Sequence, residues 1–345
     1  MSYRFDPNAS AHVDAGIFNL PHTAEEANII LIPVPWEATC SGRGGTSEGP
    51  HSIFMASKSL DLGNVELDSP WAAGIHMLPQ SGSITELGQG ARRLYQDIDQ
   101  DPEACTSIDI LCEMMNQHVE GSVSNVLSSG KIPGVVGGDH SVAFGAFRAI
   151  DSLGEPFSIL HFDAHLDMRD AYEGLKYSHA SVFHNALTEL KSLERVVSVG
   201  VRDFGPAEVN FCNSQGDRTR VFYDVDMASR KLDGVDFSSI SSEIISSLTD
   251  NVWISLDIDG LDPSLCPNTG TPVPGGLNYG EISRVISDLG KSGKRIIGFD
   301  LNEVSPDPTG MSDWDANVGM RVLYSLCSWT LHSRGMTELL PKRLK

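Results

Sequence analysis

The segment Asp163-Ala164-His165-Leu166-Asp167 places three possible metal ligands at every second position, directly after the apolar run Phe157–Phe162. In an extended backbone, successive side chains alternate between two faces, so these three side chains can turn to the same side. Carboxylates and an imidazole gathered in this way suit a divalent metal ion. Taken alone, the motif is equally compatible with a buried strand end whose polar groups are satisfied by hydrogen bonds.

Three further apolar runs also end in acid or imidazole groups. Any one of them could be an ordinary capped strand end, and for an isolated Asp-x-Asp that interpretation is the more common one. The carboxyl ends of parallel strands meet at one edge of a sheet, so the four segments together predict a shared site. The additional groups are His140 after residues 132–136, Asp257 and Asp259 after residues 252–256, and Glu303 after residues 295–299.

Counting the ligands indicates the kind of site. Four aspartates and two histidines form an oxygen-rich set, which suits manganese better than a thiolate-preferring metal. Two divalent ions would balance four carboxylates, whereas six protein ligands on one ion would leave no room for chemistry. We therefore expect two ions that share bridging carboxylates, as in dinuclear hydrolases. The candidate ligands are His140, Asp163, His165, Asp167, Asp257 and Asp259.

Hydrolysis at such a centre needs further groups. Two cations lower the pKa of bound water, which makes attack on an unreactive planar carbon feasible near neutral pH. A cationic substrate requires a carboxylate to hold it, and a basic leaving amine requires a proton donor. Glu303 and His179 are the candidates for these two roles.

The elements that must position these residues alternate between strand and helix. Apolar, β-branched runs predict strands at 27–35, 132–136, 157–162, 195–201, 252–256 and 295–299, with a further short strand at 221–223. Helices are predicted at 51–60, 106–127, 141–153, 180–193, 240–248, 279–289 and 316–331, and residues 61–90 allow no firm assignment. This alternation is typical of an α/β fold, with right-handed crossovers and a mainly parallel sheet covered on both faces.

The glycine-rich segment Thr39–Pro50 follows the first predicted strand. It lacks the Gly-Lys-Ser/Thr ending that gives a phosphate-binding loop its lysine and its magnesium ligand. We expect it to form a rim loop over a pocket.

Bulk composition limits the architecture and the partners. The 345 residues are 40% hydrophobic and contain no linker-like run, which predicts a single domain over residues 1–345 with an irregular segment at about 1–25. The net charge of −21 argues against nucleic acid or an anionic membrane as a partner and mildly favours a cationic ligand. Six scattered cysteines and the lack of a signal-like or membrane-spanning apolar stretch predict a cytoplasmic protein with reduced thiols.

As a set, the motifs resemble the ureohydrolase family, which includes arginase, agmatinase and formiminoglutamase. The resemblance implies a three-layer α/β/α fold around a mainly parallel sheet of about eight strands. It also implies hydrolysis of a guanidino group to urea and an amine over two manganese ions, with nickel as the alternative metal, in a homotrimer or homohexamer. The matching segments lie in the family's order: Gly137–Ser141, Phe162–Asp167, Tyr177–Ala180, Ser255–Pro263, Thr271–Gly276 and Phe299–Pro306.

The resemblance assigns roles at the matching positions. Glu303 is expected to hold the guanidinium group and His179 to carry a proton. One ion is expected among His140, Asp163, Asp167 and Asp257, and the other near His165 with shared aspartates that include Asp259.

The substrate is harder to choose than the reaction. Residues 167–179 and the glycine-rich segment resemble the agmatinase branch, which predicts a small cationic guanidino substrate, agmatine, cleaved to putrescine and urea. Arg169 complicates this prediction, because formiminoglutamases also have an arginine after the metal motif and it could pair with a substrate carboxylate. Neutralisation by Asp170 or Glu173 is slightly favoured instead. Asp203 is a candidate partner for a distant substrate ammonium, although a role in bracing its loop is equally plausible.

Several alternatives stay open at this point. The same centre would serve a formiminoglutamase, an arginase, a guanidinobutyrase or a guanidinase. A catalytically silent, metal-binding regulatory member is suggested by Phe54, which stands where the family usually has an arginine. A deacetylase on a related scaffold would need one zinc ion and a catalytic tyrosine, whereas six ligands are enough for two metals.

Overall fold

The computed structural model describes residues 5–9, 12, 14–40, 42–98 and 103–341. Its strands are β1 (Ile29–Pro33), β2 (Ile75–Met77), β3 (Ile132–Val136), β4 (Phe157–Phe162), β5 (Leu193–Val201), β6 (Thr219–Tyr223), β7 (Asn251–Asp257) and β8 (Arg295–Asn302). They form one eight-stranded sheet in the order β2-β1-β3-β8-β7-β4-β5-β6. All pairings between these strands are parallel. The predicted α/β class and the number of strands are confirmed.

Helices cover both faces of the sheet. They are α1 (Gly49–Ala56), α2 (Gly82–Gln96), α3 (Ala104–Ser128), α4 (Ala143–Asp151), α5 (Val182–Glu189), α6 (Pro206–Ser214), α7 (Asp224–Leu232), α8 (Phe237–Ser246), α9 (Tyr279–Lys291) and α10 (Trp314–Ser333). Buried side chains of α1, α8, α9 and α10 pack with Ile29 and Leu31 of β1. Those of α2, α3, α4 and α5 pack with Ile30 and Ile32. Because neighbouring residues of a strand face opposite sides, the sheet is the middle of three layers.

The elements that the sequence did not predict are β2, α2, α6 and α7. Strand β2 has only three residues, too few to show a period. Helix α7 buries one apolar side chain, Met227, and α6 buries only Glu208 and Cys212. Each of these two helices has nine residues and at most two buried positions, too short a stretch to be recognised as a helix from its apolar residues.

The strands that carry the candidate ligands are neighbours at the centre of the sheet, in the order β3-β8-β7-β4. Val136 pairs with Leu301, Leu301 with Leu256, and Leu256 with Phe162, so the four strands end at the same level. β3 and β4 follow each other among the strands of the sequence but are not neighbours in the sheet, because β8 and β7 lie between them. This is the kind of crevice in which α/β proteins bind their ligands.

The paired glycines after β3 permit close contacts between backbone segments. A Cβ atom on Gly138 would lie 1.8 Å from the carbonyl oxygen of Trp36, and one on Gly137 would lie 2.1 Å from Asn302 Oδ1. Any side chain here would push the β3 end away from its neighbours. The glycines therefore bring His140 close to the end of β8.

The N-terminal segment, the apolar character of the helices and the cysteines were the other subjects of prediction. In the described part of the N-terminal segment, Ile17–Asn19 form one turn of 3-10 helix. None of the helices within the described ranges has the length and apolar character needed to cross a membrane. All six cysteines are free.

Candidate metal centre and active site

A first cluster surrounds the imidazole of His140. Its Nδ1 atom lies 3.1 Å from Asp163 Oδ2, 3.1 Å from Asp167 Oδ2 and 3.5 Å from Asp257 Oδ2. All four side chains are buried. His140, Asp163 and Asp167, together with His161, offer ligand atoms close enough to one another to hold one cation, and Asp257 from the end of β7 borders this space.

A second cluster surrounds His165. Its Nδ1 atom lies 3.3 Å from Asp163 Oδ1 and 3.1 Å from Asp259 Oδ2. Asp163 thus presents one carboxylate oxygen to each cluster, so it could serve as a ligand to both ions of a pair. The structure brings together all six ligands that the sequence singled out.

Burial and crowding decide the charges of these groups. Burial, followed by repulsion from Asp163, raises the pKa of Asp167 to about 7. Burial also raises the pKa of Asp257, with a further contribution from Asp259. Burial alone would lower the pKa of His140, but its hydrogen bonds to Asp163 and Asp167 outweigh this effect and raise it. Carboxylates held this close favour a divalent cation among them, so the donor set fits a pair of such ions.

A cavity of about 360 Å³ opens over the two clusters. It contains all four side chains for which the sequence predicted a catalytic or substrate-binding role. The described residues that line it are His165, Asp167, Arg169, Tyr172, His179, Ala180, Asp203, Phe204, Glu208, Asp257, Thr271, Pro272, Val273 and Glu303.

Comparison with known proteins identifies the family. The model of the arginase family matches residues 27–328. The chain belongs to the arginase family. The predicted recognition is thereby confirmed, and the protein is a ureohydrolase of this family.

Individual members of the family are similar to this protein over most of its sequence. The N(1)-aminopropylagmatine ureohydrolase of Thermus thermophilus is 33% identical over 285 residues, which cover 82% of this chain and 84% of that protein. The mitochondrial agmatinase of Gallus gallus is 30% identical over 310 residues, 88% of this chain and 81% of that protein. The solved agmatine ureohydrolase of Thermoplasma volcanium has a TM-score of 0.70 at 26% identity, with 95% of this chain and 96% of that chain covered.

Within this arginase-family site, His161 supports the carboxylate shared by both clusters. Its Nε2 atom lies 2.8 Å from Asp163 Oδ2, and its Nδ1 atom lies 3.0 Å from Ser198 Oγ. The ring packs on Phe183 with 3.9 Å between centroids. Sequence reasoning missed this residue because it lies inside an apolar run. A signal was present in the alternate positions of His161, Asp163 and His165, and in the structure Asp163 contacts both histidines.

A second support reaches His140 from the neighbouring strands. Its Nε2 atom lies 3.0 Å from Ser255 Oγ, which donates to Asp300 Oδ1 at 2.7 Å. Trp253 Nε1 and Asn302 Nδ2 also donate to this buried carboxylate, at 2.5 and 2.6 Å. The chain of contacts fixes the His140 ring from the side opposite the clusters.

Two site carboxylates stand on left-handed backbone. Asp167 has φ +52° and Glu303 has φ +62°. Such residues cost on the order of 1–3 kcal/mol each and persist where their surroundings fix them. Glu303 is fixed by its amide, which donates to Gly138 O at 2.7 Å, and by its Oε1 atom, which accepts from the His140 amide at 2.9 Å. The left-handed backbone therefore directs both carboxylates towards the cavity.

His179 lies half-buried in the cavity wall, next to the edge of Tyr172. Ser178 caps the turn in which it lies by accepting from the Ala180 amide. Burial, with the nearby His165 and His140, lowers the pKa of His179 to about 4. The imidazole is neutral at pH 7 and able to accept a proton.

Arg169 does not pair with either of the acids suggested by the sequence. Its Nε atom lies 3.6 Å from Glu208 Oε2, and its guanidinium lies over the Tyr172 ring. Glu208 is buried at the start of α6, where Oε2 accepts from the Gly205 amide and Oε1 from the Met168 amide. The expected neutralisation by Asp170 or Glu173 was wrong because α6, which carries the true partner, was not predicted.

The glycine-rich segment is not a rim over this cavity, since none of its described residues lines it. Glu37 Oε2 fixes the segment by accepting hydrogen bonds from the amides of Gly45 and Ser47, at 2.7 and 3.2 Å. The Arg43 amide donates to Gly270 O at 3.2 Å. The segment therefore supports the cavity wall instead of covering it.

Proposed function

We propose that this arginase-family ureohydrolase cleaves agmatine to putrescine and urea at a centre of two manganese ions, with nickel as the alternative metal. Bound divalent ions lower the pKa of water and supply the nucleophile for hydrolysis. His140, Asp163, Asp167 and Asp257 are the proposed ligands of one ion, and His165, Asp259 and the shared Asp163 those of the other.

Two side chains in the cavity act on the substrate in this proposal. Glu303 uses Oε1 for the His140 amide, so Oε2 is left to accept from a guanidinium group. A charge-assisted bond of this kind is strong in a buried site. His179, neutral at pH 7, accepts the proton that the attacking water gives up and passes it to the leaving amine.

The pairing of Arg169 with Glu208 is the observation that favours an amine tail over a carboxylate tail. Arg169 is the one lysine or arginine among the described cavity-lining residues, and the buried Glu208 already balances its charge. Asp203 lies exposed in the same wall, and no described lysine or arginine forms an ion pair with it. The wall therefore offers negative charge to the far end of a bound substrate.

N(1)-Aminopropylagmatine is a second candidate substrate for the same reaction. It occurs in the name of the Thermus thermophilus relative and carries an additional amine beyond the agmatine chain. The exposed Asp203 favours it, because an acid in the outer wall could receive that second amine. Both candidates keep the guanidinium on Glu303.

Product release from a panel of compounds tests the proposal. The manganese-loaded protein should release urea from agmatine or N(1)-aminopropylagmatine at a kcat/KM well above that for arginine, 4-guanidinobutyrate or guanidine. Formamide should not appear from formiminoglutamate. Turnover confined to carboxylate-bearing compounds would contradict the choice of substrate, and metal binding without any turnover would favour a silent regulatory protein.

The proposal extends to the assembly and its location. We propose a cytoplasmic homotrimer or homohexamer that uses neither nucleic acid nor a membrane as a partner. Light scattering on the metal-loaded protein should give a mass of three or six chains. A monomeric mass would contradict this part of the proposal without affecting the chemistry.

A further inference from the structure

We propose that Thr39 is a positioning residue for His179 and sets the tautomer in which this histidine carries its proton. The inference rests on the proposed hydrolysis, in which His179 moves a proton to the leaving amine. It assigns a role to the glycine-rich segment, whose first residue is Thr39 and which does not line the cavity.

Thr39 holds both the backbone and the ring of His179. The His179 amide donates to Thr39 Oγ1 at 3.0 Å, and His179 Nδ1 lies 3.2 Å from the same oxygen. Ser178 Oγ lies farther from Nδ1, at 3.4 Å, and is already used to cap the turn. Thr39 is buried, so water does not compete for its hydroxyl. Among the described residues, the Thr39 hydroxyl is therefore the nearest hydrogen-bond partner of the ring.

The other side of Thr39 is tied to the end of β3. Its amide donates to Asp139 Oδ2 at 3.2 Å, and its hydroxyl lies 3.5 Å from the same oxygen. Asp139 Oδ1 accepts from the Ser141 amide at 3.1 Å. Asp139 directly precedes His140, so Thr39 connects His179 to the strand end that carries the first cluster.

The contacts of the hydroxyl are compatible with one tautomer in particular. In the proposed tautomer, Thr39 Oγ1 accepts from the His179 amide at 3.0 Å and from Nδ1–H at 3.2 Å, while its single proton is directed to Asp139 Oδ2 at 3.5 Å. A histidine that donates from Nδ1 has its lone pair on Nε2. Nε2 can then take a proton and release it to the leaving amine, while the Nδ1–H bond stays intact throughout. With Nδ1–H held by a fixed partner, only Nε2 exchanges protons during the reaction.

The variant Thr39→Val tests this role because it keeps the β-branched shape and removes the hydroxyl. We expect kcat for urea release to fall about 10- to 100-fold, as when a residue that orients a site group is lost, with KM and metal content unchanged. Thr39→Ser keeps the hydroxyl and should restore most of the rate. An unchanged kcat in Thr39→Val, or a serine variant as slow as the valine variant, would overturn the proposal.

A double-mutant cycle separates this role from a general structural one. If Thr39 acts through His179, adding Thr39→Val to His179→Asn should cause little further loss. An equal loss in both backgrounds would overturn the proposal. Should Thr39→Val not fold, Thr39→Ala takes its place in the cycle.

Failure of the proposed function gives a different result. In that case the wild-type protein releases urea from no compound of the panel. A crystal structure of metal-loaded Thr39→Val still tests the positioning, because the His179 ring should leave its orientation. A ring that stays in place would overturn the role of Thr39 independently of activity.

Discussion

The floor of the cavity and its wall are built in different ways. The floor consists of side chains at the ends of adjacent parallel strands, and each is placed by the residues immediately before it in the sequence. The wall depends on pairs that are far apart along the chain. Arg169 meets Glu208 from α6, and His179 meets Thr39 across 140 positions. The chemistry is therefore encoded in short segments, and the choice of substrate depends on long-range contacts.

The floor should be the more sensitive region, and Asp163→Asn should have the largest effect. Asp163 gives one oxygen to each cluster, so its loss should release metal from both and reduce urea release to background. Elemental analysis and a urea assay measure the two effects. Asp170→Asn is the matched control, because this exposed acid lies close to the motif outside both clusters. Full activity of Asp163→Asn with two metals bound would contradict the bridging role.

Glu303→Gln should rank second, because it removes a charge at the boundary between floor and wall but no proposed ligand. Loss of one partner of a buried charged hydrogen bond costs about 2–5 kcal/mol, so kcat/KM for agmatine should fall at least 30-fold or so. Metal content should stay unchanged. A variant that loses its metal as well would show that Glu303 belongs to the metal centre and not to substrate binding.

The floor was predictable from the sequence because its side chains come at the ends of apolar runs or directly after them, and those runs form β3, β4, β7 and β8. The period of two explains less, since residues 163–167 lie beyond the end of β4 and Asp167 has a left-handed backbone. That the four strands are neighbours was not predictable, since the sheet order β3-β8-β7-β4 depends on packing.

The wall was predictable only in part. His179, Arg169 and Asp203 were identified as cavity residues, but their partners were not. Glu208 lies on a short helix with almost no apolar period, and Thr39 lies in an irregular segment. Pairing between such segments leaves no local pattern in a single sequence.

Glu208→Gln should change selectivity more than rate. With its partner uncharged, Arg169 becomes available to a substrate carboxylate. A hydrogen bond to a charged group contributes about 1.5 kcal/mol, so the kcat/KM for 4-guanidinobutyrate relative to agmatine should rise roughly tenfold.

Two further variants complete that experiment. Glu189→Gln, which removes the surface partner of Lys176, should leave the ratio unchanged. Adding Arg169→Gln to Glu208→Gln should abolish the gain. A ratio that stays constant in Glu208→Gln would show that the pair does not exclude carboxylates.

Asp203→Asn should have the smallest effect. This acid is exposed, where a single charge pair contributes about 0.2–1 kcal/mol. We expect KM for the amine substrate to rise roughly two- to fivefold at low salt, with kcat unchanged, and the difference to shrink as salt is added. A larger increase in KM for N(1)-aminopropylagmatine than for agmatine would identify the longer amine as the better substrate. An unchanged KM for both would remove Asp203 from the site.

The metal centre itself is best examined by anomalous diffraction from crystals of the manganese-loaded protein, together with elemental analysis. We expect two manganese ions per chain, one among His140, Asp163, Asp167 and Asp257 and the other held by His165, Asp163 and Asp259. A single ion, or two ions bound away from these side chains, would contradict the dinuclear site and the hydrolysis proposed for it.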